Sequence, residues 1–260
     1  MDKQKINTPN QYSRIAIITG ATSGIGEATA RKFITAGFGV VGNARREEKF
    51  VAMEQEFGSA FCGIAGDAAD SALLDKLFAS AIEHFGKPAD IVVANAGRGL
   101  GGSVKDADIS QFEEMLKLNV TGTLILLQKA ALKFVDKQKS DFPNSAADIV
   151  IIGSVVGRHI SPFSAVYGAT KFAVHGLAEG LRREVGPKGV RVSLVEPGIV
   201  ISGFQQVAGY GDEQVKRFSE GFGPLIYGED VANTIHFIVS QPPHVHISDI
   251  MVRPTRQDYP

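Results

Sequence analysis

The sequence has no tryptophan and a single cysteine, Cys62, among its 260 residues. One thiol excludes an intrachain disulfide and every cysteine-rich metal site, and it suits a reducing compartment. Neither charge sign dominates: 27 Lys and Arg stand against 28 Asp and Glu, for a formal net charge of −1. With no long Lys/Arg run, a general nucleic-acid surface is not expected. The polar N-terminus, Met1–Arg14, lacks the apolar stretch of a signal peptide, and no segment reads as an apolar run long enough to span a bilayer. The expectation is a soluble cytoplasmic protein with no membrane or nucleic-acid partner. His244 and His246 lie two apart but without nearby acids or cysteines, so no metal is expected.

What is present is a regular alternation. Short β-branched runs at Arg14–Thr19, Phe38–Asn43, Ala60–Ala65, Asp90–Ala94, Asp148–Gly153, Val190–Glu196 and His246–Val252 read as seven strands. Between them, Ile25–Ala36, Arg46–Phe57, Ser71–Phe85, roughly Ser110–Gln138, Ala165–Val185 and Glu229–Ser240 read as helices. Strands apolar on both faces, each pair separated by a helix, predict an α/β fold with a doubly wound parallel sheet and helices on both sides. No repeat or linker divides the chain, so residues 1–260 form one expected domain. It has a polar tail over 1–13 and a glycine-rich, less regular insertion over about 198–228.

The first strand runs into Gly20, Thr22, Ser23, Gly24, Ile25 and Gly26, at the mouth of a helix. Gly20 can turn the chain, Gly24 can let backbone approach a pyrophosphate, and Gly26 can bring the helix close to the sheet. The first N–H groups and the positive dipole end of that helix would hold the phosphates. Where an NAD site places an acid at the end of the second strand, this chain has Asn43-Ala44-Arg45-Arg46. Two guanidiniums without a carboxylate point to the 2′-phosphate of NADP(H), the alternative being that Arg45 and Arg46 merely open a solvated helix. Asp67 suits either an adenine amino group or the cap of the helix near Ser71. Asn95, Ala96 and Gly97 end the fourth strand at the switch point where such sheets bind ligands.

Tyr167 and Lys171 lie four apart on one predicted helix and so share a face. A phenol with a reference pKa of about 10 needs a neighbouring cation to serve as a base at neutral pH. Ser154, at the end of the fifth strand, offers a hydroxyl to a carbonyl oxygen. Asn119, an amide within an apolar helix, calls for either a buried structural hydrogen bond or a proton-relay water.

Together, residues 19–26, 95–97, Asn119, Ser154, 167–171 and 196–200 make the chain resemble the short-chain dehydrogenase/reductase family from about Arg14 onward. The resemblance implies strand order 3-2-1-4-5-6-7 and a catalytic tetrad of Asn119, Ser154, Tyr167 and Lys171. It further implies that Tyr167 exchanges a proton with the substrate oxygen while Ser154 orients it. Lys171 would hold the nicotinamide ribose, and the Asn119 backbone a water. Pro197, Gly198 and Val200 would line the nicotinamide, as would Ser202, which stands where the family usually has threonine. Ala94 replaces a frequent asparagine.

The resemblance is nearest to the branch acting on 3-hydroxy acids such as serine. The partner expected is therefore a small alcohol or carbonyl substrate, met by Arg98, Arg158, His159, Phe163, Phe204 and Tyr210. The charged members of that set read equally as solvated loop residues, and the aromatic ones equally as an apolar pocket. A 3-oxoacyl carrier-protein reductase and a non-catalytic NADP(H)-binding redox sensor are the alternatives. The two long helices, 110–138 and 165–185, resemble those that pair subunits in the family, so a homo-oligomer, a dimer or tetramer, is expected.

Overall fold

In the computed structural model, residues 11–161, 164–204, 208–209 and 211–259 are described. Strand β1 (Ile15–Thr19) is buried along its whole length, as its unbroken apolar sequence requires. It pairs in parallel with β2 (Gly39–Ala44) on one side and β4 (Ile91–Ala94) on the other. With β3 (Phe61–Ala65), β5 (Ala147–Ile152), β6 (Val190–Pro197) and β9 (Asp249–Val252), they form one seven-stranded parallel sheet of order β3-β2-β1-β4-β5-β6-β9. β7 (Val200–Ile201) and β8 (Ile226–Tyr227) make a separate two-stranded ladder.

The expected single-domain fold and strand order therefore stand, with the last sheet strand starting later than His246. The reason lies in His246 itself. Its Nε2 meets both the N (3.1 Å) and the O (2.8 Å) of Val192, so a side chain occupies β6 where a strand would have paired.

Helices cover both faces, as an apolar-on-both-sides sheet demands. One face is packed by α1 (Gly24–Thr35), α2 (Glu47–Phe57) and α8 (Gly228–Val239), with Phe33, Phe50, Val231 and Ile235 in the core. The other is packed by α3 (Ser71–Phe85), α5 (Thr123–Asp141) and α6 (Ala165–Val185), through Leu74, Leu126, Phe134 and Val174. α7 (Asp212–Phe222) lies in the expected insertion.

The long helix read over 110–138 is interrupted. α4 (Ile109–Leu116) passes through a π-type turn at Lys117–Gly122 before α5 begins, and Asn119 sits in that turn. Such turns recur at functional sites because the extra residue re-aims a side chain within the helix. By length and composition, the run Ile109–Asp141 is apolar enough to cross a membrane, which corrects the expectation that no segment is. Here Leu126, Leu127, Ala130 and Phe134 pack into the core against the sheet.

At the amino ends of the strands, Asp148 is buried between two arginines. Arg14 Nη1 lies 2.7 Å from it, and Arg191 binds it through Nε (2.7 Å) and Nη2 (2.9 Å). The same guanidiniums donate to the carbonyls of Val239, Gln241, Pro242 and Val245, tying the end of α8 and the loop beyond it to the sheet. This leaves the opposite, carboxyl edge of the sheet to build a site.

Candidate active site

The turn after β1 is tight for reasons visible atom by atom. Gly20 has φ +70° and Gly24 φ +53°, a region that disfavours side chains. A Cβ on Gly26 would lie 2.2 Å from Gly20 O and 2.5 Å from Asn95 Nδ2. Only a glycine lets α1 sit this close to the strand end. Ser23 takes the N-cap position with extended backbone but makes no side-chain cap bond to the first turn of α1. Thr22 is buried, while Ser23 is exposed and Ile25 partly so.

Asn95 does more than form a wall. Its Nδ2 donates to Thr19 O (2.9 Å) and Gly20 O (3.3 Å), while the amides of Asn95 and Ala96 donate to Thr19 Oγ1. Thr19, read in the sequence only as part of the glycine motif, thus clamps β1 to β4 at the switch point. Its place as the last residue of β1 was the available signal.

Beyond β2, Arg45 and Arg46 are exposed and enter no ion pair among the described residues. Asn43 turns inward, its Nδ2 donating to the Ile64 and Gly66 carbonyls. Asp67 is exposed and accepts from Ala69 N at 3.0 Å. The cap of α3 is Asp70, which accepts from Ala72 N and Leu73 N, so the cap alternative for Asp67 does not hold. A helix start without an N-cap side-chain bond behind a bare-backbone turn, with exposed guanidiniums rather than a carboxylate at Arg45 and Arg46, fits a phosphorylated dinucleotide.

The four polar residues come from three elements: the turn after β5, the helix α6 and the π-type turn. Ser154 follows β5, nearly buried and extended, and Val156 N lies 3.4 Å from its Oγ. Tyr167 and Lys171 stand on α6 as their spacing predicts, with Lys171 Nζ 5.8 Å from the centre of the phenol ring. That ammonium is 8% exposed and donates to Ile152 O at 2.7 Å. Burial away from water lowers its pKa to about 8.

The Asn119 amide is fully engaged. Oδ1 accepts from Arg98 N (2.9 Å), and Nδ2 donates to Arg98 O (2.9 Å) and Thr170 Oγ1 (3.1 Å). Thr170 Oγ1 in turn donates to Tyr167 O at 2.8 Å, so Asn119 ties the π-type turn to the helix that carries Tyr167. Of its two sequence readings, the side chain takes the structural one.

After β6, the Ser202 Cβ lies 3.1 Å from where a Gly24 side chain would begin, which brings this segment onto the glycine turn. Gly198 is packed against Arg253 and Gln257, and Gln257 Oε1 accepts from Ile199 N at 3.0 Å. Pro197 and Val200 are buried. Gln257, near the end of the chain, carried no sequence signal. Phe204 lies over Gly99, where a Cβ would be 2.5 Å from its ring, and its ring centre is 5.4 Å from that of Tyr167.

The other expected substrate contacts divide. His159 is exposed. Arg98 is paired with Glu114 at 2.7 Å and donates to Gln111 at 3.3 Å. Arg158 binds both oxygens of Glu196 at 2.5 and 2.6 Å, so neither arginine presents a free charge. Their partners, on α4 and β6, could not be paired with them from sequence. Phe163 and Tyr210 lie outside the described residues. Among the described residues, no cluster of His, Cys, Asp or Glu could hold a metal ion.

A family model described as short chain dehydrogenase matches residues 14–210. The serine 3-dehydrogenase of Rhizobium radiobacter is 35% identical over 246 residues, 94% of each chain. The closed form of serine dehydrogenase complexed with NADP+ is similar in structure at a TM-score of 0.84 and 29% identity, over 94% of this chain and 96% of that one. The 3-ketoacyl-(acyl-carrier-protein) reductase from Brucella melitensis complexed with NADH has the same TM-score at 26% identity, over 94% and 98%. With this sheet order, this glycine turn and this extent of match, the chain is an oxidoreductase of the short-chain dehydrogenase family.

Proposed function

We propose that the chain interconverts a small 3-hydroxy acid and its carbonyl form, with NADP(H) preferred over NAD(H). The observation that carries the reading is the buried ammonium of Lys171 beside the Tyr167 ring, with Ser154 at the adjoining strand end. When bound, the nicotinamide would exchange a hydride with the substrate carbon.

The rest of the chemistry belongs to the chain. Lys171 favours the phenolate, and Tyr167 takes or gives the proton at the substrate oxygen. Ser154 Oγ donates to that oxygen and orients it. Phe204, against the Tyr167 ring, keeps water from the reacting edge. The Gly20–Gly26 turn and the start of α1 bind the pyrophosphate, and Arg45 and Arg46 the 2′-phosphate. Asn95 and Thr19 hold the turn, with Ala96 and Gly97 beside them. Asp67, exposed past β3, would accept from the adenine amino group. Pro197, Gly198, Val200 and Ser202 form the nicotinamide wall.

The substrate class rests on similarity to the serine dehydrogenases, with His159, exposed in the loop after β5, as the polar group offered to the substrate. Exposed Leu116, Leu124 and Leu132 on α4 and α5, and Phe172 on α6, favour pairing with a second copy through these helices.

The test is fluorescence titration with NADPH and NADH, then turnover on L-serine, 3-hydroxypropanoate, simple ketones and a 3-oxoacyl thioester. Tight NADPH binding with serine or hydroxy-acid turnover is expected. Turnover confined to the thioester would move the assignment to an acyl-thioester reductase. Binding without any turnover would favour a sensor.

A further inference from the structure

Tyr167, Lys171 and His175 recur at intervals of four along α6 and so lie on one face. Two of them grip the backbone where β5 ends. Lys171 Nζ donates to Ile152 O at 2.7 Å, and the Ser154 N–H donates to His175 Nε2 at 3.3 Å. The imidazole is seated between bare backbone segments: a Cβ on Gly153 or on Gly157 would lie 2.4 Å from its ring. Its other nitrogen, Nδ1, lies 3.9 Å from Glu196 Oε2, a carboxylate 1% exposed and clasped by Arg158.

We infer that His175 is a positioning residue: a neutral imidazole, bare at Nε2 and protonated at Nδ1, that fixes the Ser154 peptide and with it the Ser154 hydroxyl. The inference rests on the reading of Ser154 given above. Nε2 has to be bare because the group facing it, the Ser154 N–H, is itself a donor. A second proton on the ring would set N–H against N–H and release the serine.

The charged groups around the ring come from several elements. Lys171 lies on its own helix, Arg158 in the turn after β5, Glu196 on β6 and Asp249 on β9. Burial lowers the pKa of His175 below the ordinary histidine value. Glu196 and Asp249 act against that shift, whereas Lys171 and Arg158 act with it. The ring is therefore neutral at physiological pH, and activity falls on the acid side as it takes its proton.

His175→Leu keeps the bulk and removes the acceptor. One lost hydrogen bond of about the usual worth lowers kcat about tenfold, with NADPH affinity by fluorescence nearly unchanged. His175→Gln offers an amide oxygen to the same N–H, so kcat recovers, and the extra steepening that His175 protonation adds to the Tyr167 acid limb of the pH–rate profile, measured with L-serine and NADP+, disappears. An unchanged kcat in the Leu variant, or a Gln variant that keeps the extra steepening of the acid limb, overturns the assignment.

If the Leu variant does not fold, nitrogen-15 NMR of the wild-type imidazoles decides. A neutral ring bare at Nε2, with the Ser154 amide resonance following its titration, supports the inference; a ring charged or protonated at Nε2 at neutral pH refutes it. Should the wild type turn over no alcohol in the panel, the functional reading fails on its own, and the NMR result still decides the state of His175.

Discussion

Replacing Lys171 by methionine, similar in length but uncharged, separates two consequences of one buried ammonium. The first concerns the phenol. Lys171 Nζ lies 5.8 Å from the Tyr167 ring centre. At about that separation, in a medium of effective dielectric about 20, a unit charge acts with about 3 kcal/mol. That lowers the phenol's pKa by about two and raises the phenolate population at neutral pH roughly 100-fold. Alcohol oxidation by Lys171→Met at neutral pH is expected to be slower by about that factor, with the acid-side rise of the pH–rate profile, set by the phenolate, moved up by about two.

The second consequence concerns stability. Burial depresses the Lys171 pKa from 10.5 to about 8. Between these values the unfolded chain binds more protons than the folded one, so this residue's contribution to stability rises with pH through that window. The depression corresponds to about 3 kcal/mol. Urea titrations of both proteins from pH 7 to 11 should show the wild type gaining about that much on the Met variant. Activity ratios should converge over the same range as the wild-type ammonium discharges. A Met variant with an unmoved pH–rate profile, or a stability difference flat across pH, refutes the electrostatic account of this pair.

Tyr167→Phe should remove turnover while leaving NADPH binding, followed by fluorescence, nearly intact; residual activity near the wild-type level would remove Tyr167 from the chemistry. Arg45→Ala should weaken NADPH by roughly tenfold or more, the worth of one charge-assisted contact, and NADH hardly at all. Equal losses for both cofactors would argue that Arg45 sees no 2′-phosphate. Asp148→Ala leaves Arg191 buried without its counter-charge and should cost about 3–5 kcal/mol. Thermal denaturation would then read a Tm lower by roughly 10 °C, and an unchanged Tm would mean the buried network adds nothing to stability.

Much of the architecture was legible because its signals are local. Strands buried on both faces read as unbroken apolar runs, and the helices between them follow from apolar residues recurring at helical spacing. A parallel doubly wound sheet is the arrangement that satisfies both. Gly20, Gly24 and Gly26 were readable because a tight strand-to-helix turn leaves a sequence mark, and Tyr167 with Lys171 because four residues make one helical turn.

What sequence left open depended on contacts between distant segments. Arg158 and Arg98 looked available to a substrate until Glu196 and Glu114 were found against them. Asp67 read as either an adenine contact or a helix cap until Asp70 was found to accept from Ala72 N and Leu73 N as the cap of α3. The π-type turn at Asn119, the Thr19–Asn95 clamp, the seat of His175 between Gly153 and Gly157, and Gln257 against Gly198 all join residues far apart in the chain. Sequence alone determined the elements, their order in the chain and the residue types fit for the chemistry. Which polar groups face the cleft and which are engaged by neighbours was decided by packing, because a hydrogen bond or ion pair depends on a partner's position in space and leaves no periodic trace along the chain.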